Sequence, residues 1–151
     1  MAQEDKELLL IDLSARLRYG VKGIITYDKS NTTFTVEGID NNVLHLSDAE
    51  DCYVEDFKPY LRPLSSMTEE EKEELKSKCI HTETEEDWEG VRSDVWGIQI
   101  LDKYDTRRWD NPIWPSTINM DAIDWLNAHH FDYRGLIEKG LALEAPEGMY
   151  D

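Results

Sequence analysis

Two adjacent histidines, His129 and His130, sit in "DWLNAHHFDYRG" between Asn127 and Asp132, and they are the residues best placed to do chemistry. An imidazole beside a carboxylate can act as a general acid or base, which makes His129, His130 and Asp132 the candidates for a hydrolase or nuclease. Histidine and aspartate near a helix end also serve as caps and hydrogen-bonded supports, and that structural use is the preferred reading. As metal ligands the two histidines fail a geometric requirement. Neighbours on a helix diverge by about 100° around its axis, whereas ligands to one ion are usually three or four residues apart. Either could join His45, His81, Asp124 or Asp132 only through a convergence that the sequence does not display, so no metal site is expected.

Nucleophilic catalysis has less support. There is no Gly-x-Ser-x-Gly elbow, Cys52 lies in an acidic stretch that raises a thiol pKa, and the eight glycines are scattered singly, which leaves no phosphate-cradling loop. No cofactor is expected, and the chain reads as a non-enzyme. Arginine is scarce and therefore informative: Arg16 and Arg18 in "ARLRYG", with Arg107 and Arg108 beside Trp109 in "DTRRW", could hold a nucleotide or another anionic small molecule by charge-assisted bonds and stacking. Intramolecular ion pairs are the competing use in so acidic a chain.

That acidity is the strongest compositional signal. Against 16 Lys and Arg stand 33 Asp and Glu, a formal net charge of −17, and direct binding of nucleic acid needs the opposite sign. The stretches "SDAEDCYVED", "TEEEKEEL" and "HTETEEDWE" place Glu50, Asp51, Glu55, Asp56, Glu70, Glu74, Glu85 and Glu86 where a basic protein partner could find them. Sharing one face, they would imitate the spacing of phosphates; solvated surface is the simpler use. The N-terminus "MAQEDKELLLIDLSARL" carries acids where an export signal needs a basic head, and no long apolar run appears, so a cytoplasmic protein without a membrane span is expected. Cys52 and Cys79 form no Cys-x-x-Cys pair and read as buried thiols.

The elements that must position these residues suggest an α+β fold in a single domain, 1–151. Residues 8–57 have the texture of strands: "ELLLIDLSARL", "GVKGIITYD", the alternating "TTFTVEGI", "VLHL" after the reversal at "GIDNN", and "DCYVEDF". Five short strands of this kind predict a small bent antiparallel sheet or partial barrel, stopped by Pro59 and Pro63. A surface helix over 66–80 follows, with Thr68 and Glu71 spaced as a capping box. Residues 81–90 read as an acidic loop, and 91–118 as one strand, "VWGIQIL", followed by irregular chain rich in Trp96, Trp109 and Trp114. A C-terminal helical pair is predicted over 119–145. Asn119 or Asp121 would cap the first helix and Asp132 the second, Gly140 would end it, and the pair would dock through Met120, Ile123, Trp125, Leu126 and Leu136.

Three segments, "LIDLSARLRYGV", "VEDFKPYLRPLSSMTEEE" and "WLNAHHFDYRGLIEKGLALEAPEGMY", together resemble a family of small uncharacterised proteins carried by gut anaerobic bacteria and their phages and prophages. The match covers roughly half the chain. It does not extend over residues 81–115, and the family usually has a proline where this chain has Arg18. The resemblance implies a phage or mobile-element accessory protein in the cytoplasm of a bacterial host, and it carries over no activity and no catalytic residue. The leading expectation is thus a non-enzymatic protein that binds and modulates a host or phage protein, in the manner of an acidic nucleic-acid mimic. The alternatives are the anion binder and the hydrolase or nuclease described above.

Overall fold

The computed structural model describes residues 1–78, 83–86, 92–95, 99–101, 106–108 and 120–150, with the backbone alone for Lys76, Met120 and the short strands between 83 and 108. The fold is α+β, as expected, and it separates into two compact units: Met1–Arg62 with Asn127–Asp151, and Pro63–Leu126.

In the first unit, α1 (Gln3–Arg16) precedes β1 (Lys22–Ile25), β2 (Phe34–Asp40), β3 (Val43–Leu46), β4 (Cys52–Tyr53) and β5 (Phe57–Leu61); the C-terminal β10 (Leu143–Glu144) completes a sheet in the order β10-β5-β1-β2-β3-β4. The sheet is open and mixed rather than wholly antiparallel, because β10 runs parallel to β5. The first expected strand, "ELLLIDLSARL", is instead the helix α1. Its buried positions are Leu9, Asp12, Leu13 and Arg16, three and four residues apart, which is the period of one helical face. Two of those four are charged, so the apolar half of the stripe does not reveal the period. Leu9 and Leu13 pack with Val36, Leu44, Phe57 and Leu61 of the sheet in one core.

The turn at "GIDNN" is where the sequence places it, with Asn41 in the left-handed region at φ 55° and β2 paired with β3 from Asp40↔Val43 onward. Pro59 does not stop the strand pattern; it lies inside β5, opposite Gly23 of β1. β10 pairs only with Tyr60 and Leu61, so no ladder bond to β10 is lost at the proline. Gly23 is required there for space, since a side chain at that position would run into the Phe57 ring and the Lys58 carbonyl.

The predicted second C-terminal helix is absent. Asp132 does cap, accepting from the amides of Leu136 and Ile137 at 2.9 Å each, and Gly140 is left-handed at φ 75°, but the chain between them is a series of turns. Gly135, left-handed at φ 76°, lies in the stretch that would have formed the first turn and ends propagation before it starts. Leu136 joins the core of the first unit.

In the second unit, α2 (Glu69–Lys78) begins with the expected capping box: Thr68 N–H donates to Glu71 Oε1 and Glu71 N–H to Thr68 Oγ1, both at 3.1 Å. The stretch read as an acidic loop contains β6 (Glu83–Glu86), paired antiparallel with β7 (Arg92–Val95). The single strand expected at "VWGIQIL" is divided: Val95 ends β7, and β8 (Gln99–Leu101) pairs separately with β9 (Thr106–Arg108). α3 (Met120–Ala128) follows, its last two residues belonging to the first unit, with Ala122, Trp125 and Leu126 buried. Cys79, His81, Trp96, Trp109, Trp114 and Asn119 lie outside the described residues.

Candidate functional site

The reversal after α3 gathers most of the polar residues buried in the first unit. His130 ends the helix in the left-handed region, φ 59°, with its amide bonded to Asn127 O at 3.1 Å. Arg62 N–H donates to His130 O and Asp132 N–H donates to Arg62 O, each at 2.8 Å, so residues 130–132 are fixed to the end of β5. Held in this way, the imidazole stacks on Tyr150 with ring centroids 3.7 Å apart and an interplanar angle of 19°. Its Nε2 lies 3.1 Å from the Tyr19 carbonyl oxygen. Burial first, and the nearby Arg16 charge second, push the His130 pKa down to about 4, so the ring is neutral at pH 7. A carbonyl can only accept, so Nε2 carries the proton and Nδ1 the lone pair.

Asp12 and Arg16 sit one turn apart on α1 and are completely buried. The guanidinium grips the carboxylate through Nε at 2.9 Å and Nη2 at 3.1 Å, and Nη2 also donates to the Phe131 carbonyl at 2.6 Å. Arg134 Nη1 reaches Asp12 Oδ1 at 2.8 Å. Burial opposes the charge on Arg16, but Asp12, together with Tyr133 and Asp132, outweighs it and holds the guanidinium pKa above its ordinary value. The Tyr133 ring lies against both guanidiniums, 5.3 Å from Arg16 and 4.6 Å from Arg134, while its hydroxyl donates to Asn127 Oδ1 at 2.6 Å. Burial raises its phenol pKa. Arg16 and Arg134 thus both bond Asp12, while His130 is neutral.

Tyr150 completes the arrangement from the far end of the chain. Its hydroxyl accepts from Lys22 N–H at 2.9 Å and donates to Tyr60 O at 2.7 Å. The β1–β5 pairing stops at Gly23↔Pro59, so this hydroxyl bridges the two strands one residue beyond their ladder. Burial pushes its phenol up to about 12, which keeps the donor proton in place.

Chemically, this cluster is a clasp. His130 and Asp132 do not form an acid–base pair: the imidazole is tied to Tyr19 and the carboxylate to two backbone amides. His129 is only half-buried. Among the described residues no group of three or more His, Cys, Asp and Glu is arranged to hold a metal ion, and His45 Nδ1 lies 2.9 Å from Asp51 Oδ1. Cys52 is buried, and burial first, with Asp56 and Asp51, lifts its pKa to about 11, far from a reactive thiolate. Of the arginines considered for anion binding, Arg16 is buried in the clasp and Arg18 is exposed with its guanidinium over the Tyr19 ring at 4.6 Å. The Arg107 and Arg108 side chains and Trp109 lie outside what is described.

The acidic candidates divide between the units. In the first, Glu50, Asp51 and Glu55 are exposed and Asp56 half-buried around β4, whose Tyr53 is 59% exposed. In the second, Glu70 and Glu74 are exposed on α2, while Glu85 and Glu86 are described by backbone only. Sequence reasoning missed Asp12, Tyr19, Arg134 and Tyr150. Asp12 and Arg16 did carry a signal, opposite charges four residues apart, but it is visible only once α1 is read as a helix. No family model, curated protein or solved structure matches the chain.

Proposed function

We propose that this chain is a non-enzymatic accessory protein of a phage or mobile element that modulates a host or phage protein by binding it through an acidic surface. One observation carries the reading: the acids around β4 stand exposed beside an exposed tyrosine, whereas the polar residues best suited to catalysis are occupied within the fold. Tyrosine at such a place offers rigid contact area, and the surrounding carboxylates steer a basic partner and disfavour nucleic acid itself. The resemblance of the three segments to phage and prophage proteins supports the biological setting.

The test is affinity capture of the tagged chain from a lysate of a gut anaerobic bacterium, at moderate and at high salt, with identification by mass spectrometry. A stoichiometric basic partner, lost at high salt and lost with Glu50→Lys/Glu55→Lys, is the expected result. A partner that tolerates both changes ends the acidic-surface reading. Absence of any partner, together with a co-purifying ultraviolet-absorbing ligand, would transfer the function to an anion binder.

A further inference from the structure

The clasp leaves two buried polar atoms without a protein partner: Arg16 Nη1 and His130 Nδ1. Arg16 is fully buried and His130 only 3% exposed, so bulk solvent satisfies neither. The two groups belong to one hydrogen-bonded cluster, and the Arg16 charge acts on the His130 ring. Arg16 Nη2 donates to the carbonyl of Phe131, the residue after His130, and His130 Nε2 bonds the carbonyl of Tyr19, three residues after Arg16. With Nε and Nη2 turned toward Asp12, Nη1 lies on the other side of the guanidinium plane's fork, away from that carboxylate.

We propose that Arg16 Nη1 and His130 Nδ1 form a built-in site for a single buried water molecule. The roles of the two atoms select the occupant. Nη1 can only donate, and Nδ1, with the ring proton fixed on Nε2, can only accept, so the guest must accept from one and donate to the other. Water does both. An anion would face the Nδ1 lone pair, and a cation would face the guanidinium; both are disfavoured. A buried water holding two otherwise orphaned groups is a structural component of the fold, and it makes the imidazole and the guanidinium one network with Asp12, Tyr19 and Phe131.

Crystals of the full chain, grown near neutral pH and also soaked in bromide, test this directly. The expected result is one density peak within about 2.7–3.2 Å of both atoms and no anomalous signal there. In solution, His130 ring protons should show cross-relaxation to a long-lived water, and exchanging chloride for bromide should leave the melting temperature unchanged. A direct Arg16–His130 contact, or no peak within reach of both atoms, overturns the proposal. So does an anomalous bromide peak between them, which would make the site one for anions.

Discussion

The first unit places charge in two contrasting settings. In the clasp, Asp12, Arg16 and Asp132 are buried, both carboxylates accept hydrogen bonds from within the fold, and Arg16 bonds through Nε and Nη2. Around β4, Glu50, Asp51 and Glu55 project into water, and the contacts formed there are solvent-exposed: Lys6 reaches Glu55 at 3.5 Å, and His45 and Asp51 are each about half exposed. Removal of one partner from a buried pair strands an uncompensated charge, whereas exposed pairs contribute little to stability. The clasp charges therefore maintain the fold, and the β4 charges contribute little to it.

The largest effect should come from the centre of the clasp. Arg16→Met leaves Asp12 with Arg134 alone and removes the bond to Phe131 O; a loss on the order of 3–5 kcal/mol is expected in urea unfolding. A loss below about 1 kcal/mol would put the clasp on the same footing as the surface pairs.

Acid should produce the next effect. The His130 pKa is about 4 in the fold against an ordinary 6.5, so between those values the unfolded chain binds the extra proton. Stability should be unaffected by this group above about pH 6.5 and should fall as the pH drops toward 4, by a few kcal/mol at most. His130→Gln should flatten that slope in a series of unfolding curves, although its baseline stability will be lower. A third variant, Tyr150→Phe, keeps the ring on His130 and removes only the hydroxyl between Lys22 N and Tyr60 O. About 1–3 kcal/mol should be lost, readable as a lower urea midpoint with an unchanged slope. The smallest change should come from Glu50→Lys/Glu55→Lys, within about 0.5 kcal/mol of the parent per site. Partner binding, by contrast, should be abolished, and a variant that unfolds while still binding would invert the comparison.

The same contrast explains what was legible in the sequence. α2 was readable because its information is local: Thr68 and Glu71 are three residues apart, and both bonds form. The β2–β3 reversal was readable for the same reason, through Asn41. α1 was obscured because half of its buried stripe is an ion pair, and a hydropathy pattern counts Asp12 and Arg16 as surface. The second C-terminal helix had correct punctuation at Asp132 and Gly140, but Gly135 prevented the segment between them from propagating. His130 stands out in the sequence for its chemistry, but its bonds to Tyr19 O and Asn127 O join residues too far apart or too weakly patterned to be read there. Tyr150 had no local signal, since its partners lie 128 and 90 residues away.

Those separations constrain the order of events during synthesis. β1 and β5 are made early, yet the hydroxyl that bridges them arrives after the whole of Pro63–Leu126 has been translated. A ribosome-bound chain that has not reached Tyr150 holds a sheet with Lys22 N–H and Tyr60 C=O unanswered, and Arg16 waits just as long for Phe131. Contacts this distant in sequence slow folding, because a long loop must close before they form. The first unit is therefore closed only when segments from both sides of Pro63–Leu126 meet, with its partly built sheet exposed to premature pairing throughout the interval.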